Sequence, residues 1–221
     1  MMRESFEAHM KELEEELMSM GKMVIKAINR SIEALKLRNI KEAESIISDD
    51  FFINKKRWDI EERCINLIAT QQPVATTLRE LVSLLNIITE LERIGDYAEG
   101  VAKIVVMLGD KPLVKPLIDI PRMAEVATDM LERSLQAFLE RRADTARAIC
   151  LEDDEVDGLY EQVFRELLLL MAENPKDITV ATYLIWTSHN LERIADRVTN
   201  ICERTVFLVE GTMKEIKVSK Y

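Results

Sequence analysis

Apolar residues recur at steps of three and four along six stretches of the chain. In the first, Phe6, Leu13, Leu17, Met20, Val24, Ala27/Ile28, Ile32 and Leu35 form one stripe. That spacing predicts an amphipathic helix from near Ser5 to about Arg38. Asn39 can cap a second helix, with Glu42 three residues on completing a capping box. The second helix extends to about Ala69 and carries Ala43, Ile46, Ile47, Ile53, Trp58/Ile60, Cys64, Leu67 and Ile68. Gln71-Gln72-Pro73 interrupts it. A third helix starts at a Thr77/Glu80 capping box, or earlier with Pro73 in its first turn, and runs to about Leu108. Its inward positions are Leu78, Leu81, Leu84/Leu85, Ile88, Leu91, Ala98, Val101/Ala102, Val105 and Leu108. Roughly 32 residues span about 48 Å. Three such helices with short connections predict an antiparallel three-helix bundle.

Gly109 to Pro121 is the one composition break, punctuated by Gly109, Pro112, Pro116 and Pro121. It reads as a domain linker. The pattern then repeats, with helices expected over about 120–142, 144–172 and 177–210. Asn174-Pro175 stands at the last break, Asn174 as cap and Pro175 at the first helical position. The polar tail from Gly211 is expected to be loosely held. The fold class is therefore all-α: two pseudo-symmetric antiparallel three-helix bundles, over residues 1–110 and 118–211.

Composition supports this reading. Gly (6) and Pro (5) are scarce, 48% of residues are apolar and 32% charged, as in a soluble helical protein. Each half holds 15 basic and 20 acidic residues. The net charge of -10 disfavours nucleic acid as a partner and suits cations or a basic protein surface. No signal peptide precedes the first helix, and the longest apolar run, Leu167 to Ala172, is far short of the ~20 residues of a membrane span. Cys64, Cys150 and Cys202 lie far apart in apolar contexts and read as reduced, buried thiols. Met10, Met18, Met20 and Met23 read as core filling, His9 as a surface residue, and Trp58 and Trp186 as core.

One segment occurs twice, at an offset of 100 residues: Leu91-Glu92-Arg93-Ile94-Gly95-Asp96 and Leu191-Glu192-Arg193-Ile194-Ala195-Asp196. Glu92/Asp96 and Glu192/Asp196 are i,i+4 carboxylate pairs, one turn apart on one helix face. They repel unless a cation, a basic side chain or water compensates. Asp50/Asn54 and Asp153/Asp157 have the same spacing on the preceding helices. Their distances from Pro73 and Pro175 put them at the height of the first pairs. Gly95 and Ala195 allow the neighbouring helix to approach. Four oxygen-bearing side chains can thus converge in each half, a donor set for hard cations. Glu99 and Glu203 extend the acidic stripe. A solvated helix face is the ordinary reading of one such pair; recurrence at matching heights favours a site. No zincin, P-loop, nucleophile-elbow or Glu-x-x-His pattern occurs, which excludes those chemistries.

The repeated Leu-Glu-Arg-Ile-small-Asp segment, with Asp50-Phe51-Phe52-Ile53-Asn54, Asp153-Asp154-Glu155-Val156-Asp157 and Gln72-Pro73-Val74-Ala75-Thr76-Thr77-Leu78-Arg79, resembles the PhoU family over nearly the whole length. Gln71 and Thr77 depart from the family's usual Arg and Asp. The resemblance implies two three-helix bundles, often in a homodimer, and a cytoplasmic, non-enzymatic regulator of phosphate uptake and phosphate-starvation signalling. Implied partners are the ATPase subunit of the phosphate ABC transporter and a phosphate-sensing histidine kinase, with the membrane reached only through them. Some members carry iron or zinc clusters on the acidic motifs, which points to Asp50, Asn54, Glu92 and Asp96, and to Asp153, Asp157, Glu192 and Asp196. Asn54 brings no charge, so the first site should be the weaker. From the residues alone two other readings stay open: a protein that stores or senses iron, and a helical scaffold or co-chaperone.

Overall fold

The computed structural model describes residues 2–213 and 216. It is all-α, with no strand among the described residues. The helices are α1 (Met2–Leu37), α2 (Ile40–Gln71), α3 (Ala75–Leu108), α4 (Asp119–Leu139), α5 (Ala143–Glu173) and α6 (Ile178–Glu210), with a 3-10 turn at Pro175–Asp177. Helices α1–α3 and α4–α6 form the two antiparallel bundles. The tail beyond Gly211 lies mostly outside the described residues.

The caps explain the breaks, with corrections. Asn39 caps α2 by accepting from the Glu42 backbone N–H at 3.2 Å. The Glu42 carboxylate does not return the bond; it pairs with Arg30 Nε at 2.5 Å. The capping box is half built because a cross-helix guanidinium takes the acid. Helix α2 ends on Gln72 in the left-handed region, its N–H bonded to Ile68 O. The Thr77/Glu80 box does not start α3, which begins at Ala75 after Val74. Glu80 is instead buried against Arg141. Asn174 does not cap with its side chain; its Nδ2 donates to Asp177 Oδ2 at 2.8 Å, and Pro175 opens the 3-10 turn.

The predicted stripes form the core. Leu13, Leu17, Met20, Val24 and Ile28 of α1 are buried, as are Ile46, Ile53, Ile60 and Cys64 of α2 and Leu81, Leu84, Ile88 and Leu91 of α3. The α4–α6 bundle repeats this with Met123, Met130, Ile149, Val163, Leu184 and Val198. All three cysteines are free and buried. Three apolar assignments fail. Trp58 (54% exposed), Trp186 (49%) and Leu78 (37%) face outward. Each lies within two or three residues of a buried position on its helix, and a three-or-four spacing leaves the choice among such neighbours open.

Helices α2, α3, α6 and α5 lie side by side in that order. Helices α1 and α4 pack on one side of this row, touching each other. Among the described residues no helix covers the other side of the row. One apolar core runs through both halves, because α3 and α6 pack along their lengths. The connection after α3 is no open linker: Leu113, Val114 and Leu117 pack against the core.

Polar ties cross the α3/α6 seam. Asn200 Nδ2 donates to Glu90 Oε2 at 3.2 Å, and Arg197 Nη1 lies 3.6 Å from the same oxygen. Arg141 Nη2, at the end of α4, donates to Glu80 Oε2 on α3 at 2.8 Å. Glu80 is almost wholly buried and lies beside Glu14, whose carboxyl is raised by burial and by Glu80. Arg141→Ala would leave that buried carboxylate without its cation. The expected loss is about 1–2 kcal/mol in urea unfolding, since half of Arg141 is solvated. Glu80→Gln on the Arg141→Ala background should recover most of it; an additive second loss would show that the pair is not coupled.

Candidate acidic sites on the paired helices

The repeated segment lies at the middle of α3 and of α6. A Cβ on Gly95 would stand 3.3 Å from two atoms of Ile53 and 3.4 Å from Asp50 Oδ1. Gly95 therefore lets α2 come near enough for Asp50 to face Glu92 and Asp96. Ala195, fully buried, occupies the same place in α6.

In the first half Asp50, Glu92, Asp96 and Glu99 interact electrostatically. Burial, then Asp96, Glu99 and Glu92, push the Asp50 carboxyl up to about 6. Its Oδ2 accepts from Asn54 Nδ2 at 2.7 Å, while its Oδ1 is buried with no hydrogen-bond partner. Asn54 thus spends its amide as a donor. Burial and Asp96 raise Glu92, against the lowering charge of Arg57. Burial and Glu99 raise Asp96. Glu99 also holds Lys103 at 2.5 Å.

In the second half burial, then Asp196, push Glu192 up to about 7, with Asp157 and Asp153 adding and Arg193 opposing. Asp153 is buried. Asp196 Oδ2 is 2.7 Å from Arg193 Nη2, and Arg193 also hydrogen-bonds Tyr97 of the first half. Glu192 Oε2 is 3.4 Å from His189 Nδ1 but has no hydrogen-bond partner. Burial and Arg193 lower His189, which favours the neutral imidazole. Glu203 stands apart, its Oε1 accepting from the Ile216 backbone at 3.0 Å.

The carboxylates of each predicted quartet are thus brought within electrostatic reach of one another, with Asn54 bonded to Asp50 in the first. Among the described residues, however, no three His, Cys, Asp or Glu side chains are arranged to ligate one ion. The Asn54–Asp50 and Arg193–Asp196 contacts hold ligand atoms in other bonds. Asp50 Oδ1 and Glu192 Oε2 are left buried without a hydrogen-bond partner.

Sequence reasoning missed the neighbours that differentiate the halves. Arg57 attends the first quartet. Tyr160, Phe164 and His189 border the second, around a hollow of about 550 Å3. Their signal was present: Arg57 and Tyr160 each stand three residues past Asn54 and Asp157.

The chain matches the PhoU domain over residues 17–105 and 120–205, one copy in each bundle. It is 38% identical over 217 residues to the phosphate-specific transport system accessory protein PhoU homolog of Clostridium acetobutylicum, covering 98% of this chain and 99% of the relative. The homolog of Aquifex aeolicus is 37% identical over 202 residues, 91% of each chain. The crystal structure of PhoU from Pseudomonas aeruginosa superposes with a TM-score of 0.88 at 32% identity, covering 94% of this chain and all (100%) of that one. That of the phosphate transport system regulatory protein PhoU from Streptococcus pneumoniae gives 0.88 at 31%, covering 95% and 99%. Matching in sequence, repeat and fold over nearly its full length, the chain belongs to the PhoU family.

Proposed function

We propose that the chain is a cytoplasmic, non-enzymatic regulator of phosphate uptake. It restrains the phosphate ABC transporter, through its ATPase subunit, and a phosphate-sensing histidine kinase when phosphate is ample. It acts as a homodimer and by protein contact. The observation that carries this is full-length similarity to proteins named as accessory and regulatory proteins of phosphate transport. Two further features suit it. Among the described residues no helix is long and apolar enough to cross a membrane. Among the described residues no helix covers one face of the α2–α3–α6–α5 row, which offers contact area.

The acidic quartets serve, in this proposal, as hard-cation sites attached to that regulatory surface. Asp153, Asp157, Glu192 and Asp196 would hold an ion such as iron in the second half, and Asp50, Asn54, Glu92 and Asp96 one in the first. A bound cation would neutralise carboxylates that otherwise repel, tying α2 to α3 and α5 to α6. The buried and unbonded Asp50 Oδ1 and Glu192 Oε2 favour this reading.

Deleting the gene should make phosphate-starvation genes constitutive, read by reporter activity at high phosphate; unchanged repression would sink the regulatory proposal. Protein purified without chelator from iron-supplemented cells should carry metal by elemental analysis, and Glu192→Ala should lose that of the second half. Metal-free parent protein would count against the sites.

Protons compete for the same oxygens. Cation affinity in the second half should fall as pH drops through about 7, where Glu192 takes up its proton, and in the first half through about 6. Without metal the sign for stability follows from linkage. Both acids have folded pKa values above their unfolded ones, so the folded state binds more protons in that window. Stability contributed by these groups therefore falls as pH rises from about 4 to 7. Glu192→Gln should flatten that slope by about 1–2 kcal/mol in urea titrations, screening by water included. An unchanged slope would mean that Glu192 titrates normally.

A further inference from the structure

The two halves place matching side chains around matching carboxylates, so one half shows what the other lacks. Asp50, Asn54, Arg57 and Glu61 of α2 correspond to Asp153, Asp157, Tyr160 and Phe164 of α5. Thr89 and Glu92 of α3 correspond to His189 and Glu192 of α6. In the first half Arg57 Nη2 lies 3.1 Å from Glu61 Oε2, and the Arg57 charge acts on Glu92. The first half therefore supplies its own guanidinium at the groove between its paired helices.

In the second half that ion pair is replaced by two aromatic rings. The Tyr160 and Phe164 centroids are 6.2 Å apart, and the Tyr160 and His189 centroids 6.0 Å. These rings wall the 550 Å3 hollow, and Glu192 and Asp157 line it too. It lies between α5 and α6 on the uncovered side of the helix row. The arginines at its edge are engaged elsewhere. Arg165 Nη2 is 2.6 Å from Glu161 Oε2. Arg193 is 2.7 Å from Asp196 and only reaches Glu192 Oε1 at 3.8 Å.

We propose that this hollow is a docking socket for an arginine side chain of a partner polypeptide. The guanidinium would lie against the Tyr160 and Phe164 rings and reach the Glu192 carboxylate, which lines the hollow, as the Arg57 charge acts on Glu92 in the first half. Aromatic faces attract cations, and a planar guanidinium both stacks on a ring and matches a carboxylate with two parallel N–H bonds. The chain's net charge of -10 favours a basic partner. The volume admits a whole arginine side chain with space for backbone at its mouth. The socket extends the regulatory reading by giving the partner surface an address, and a cation on Glu192 would compete with it.

The test is an NMR titration of the isotope-labelled full chain in chelator, with N-acetyl-arginine N-methylamide as probe. Shifts should be saturable, centred on Tyr160, Phe164 and His189, with a Kd on the order of millimolar. Glu192→Gln and Tyr160→Arg should each weaken binding at least tenfold, with spectra still dispersed and helical content unchanged. Arg57→Tyr should open a counterpart in the first half and add a second set of shifts around Thr89 and Glu92. Equal binding of the lysine analogue would overturn the guanidinium assignment. No saturable shift in the parent chain, or undiminished binding by Tyr160→Arg, would overturn the socket. Because chelator is present and no transporter is involved, failure here leaves the metal and phosphate proposals standing.

Discussion

Carboxylates held against their own repulsion are the constraint on which this molecule depends. Asp50, Glu92 and Asp96 in one half, and Asp153, Asp157, Glu192 and Asp196 in the other, act on one another across their paired helices. Nothing local favours that arrangement. It is imposed by Ile53, Leu91 and Ile94, and by Val156, Leu191 and Ile194, all buried in the core beneath. Each fully buried branched side chain contributes about 1.5–3 kcal/mol relative to exposure. A few of them outweigh the repulsion of partly solvated acids. The apolar core thus acts as a clamp, and the raised carboxyls at the crossing register the load.

The same clamp joins the halves. Helices α3 and α6 bear the repeated segment and also form the seam between bundles. A disturbance at one acidic crossing therefore acts directly on the element that touches the other. Arg193 makes the link tangible, binding Asp196 in its own half and Tyr97 across the seam.

Much of this was legible in the sequence, and the failures have physical reasons. Helix number, the breaks near Asn39, Pro73 and Pro175, and the convergence of the quartets all follow from periodicity and spacing. Gly95 was legible because a small residue between two acids suggests a close crossing. Side-chain partners were not. Glu80 and Glu42 have the spacing of capping residues, yet arginines distant in sequence, Arg141 and Arg30, claim them, and such long-range bonds leave no mark at a three-residue separation. Trp58 and Trp186 show the limit of hydropathy, since a large apolar residue next to the stripe scores like one within it. The Arg57/Tyr160 contrast emerges only when the copies are laid side by side with their carboxylates in view.

That contrast has an evolutionary reading. In a symmetric dimer of one three-helix unit, every substitution appears twice, and no site can keep its own arginine while its twin gives one up. Joining the two units in one chain releases them from that symmetry. Positions 57 and 160 are then free to drift separately, one crossing closing on itself and the other opening outward. Covalent fusion, made compact by the packed segment around Leu113 and Leu117, thus turns a duplicated scaffold into one with a distinct front and back.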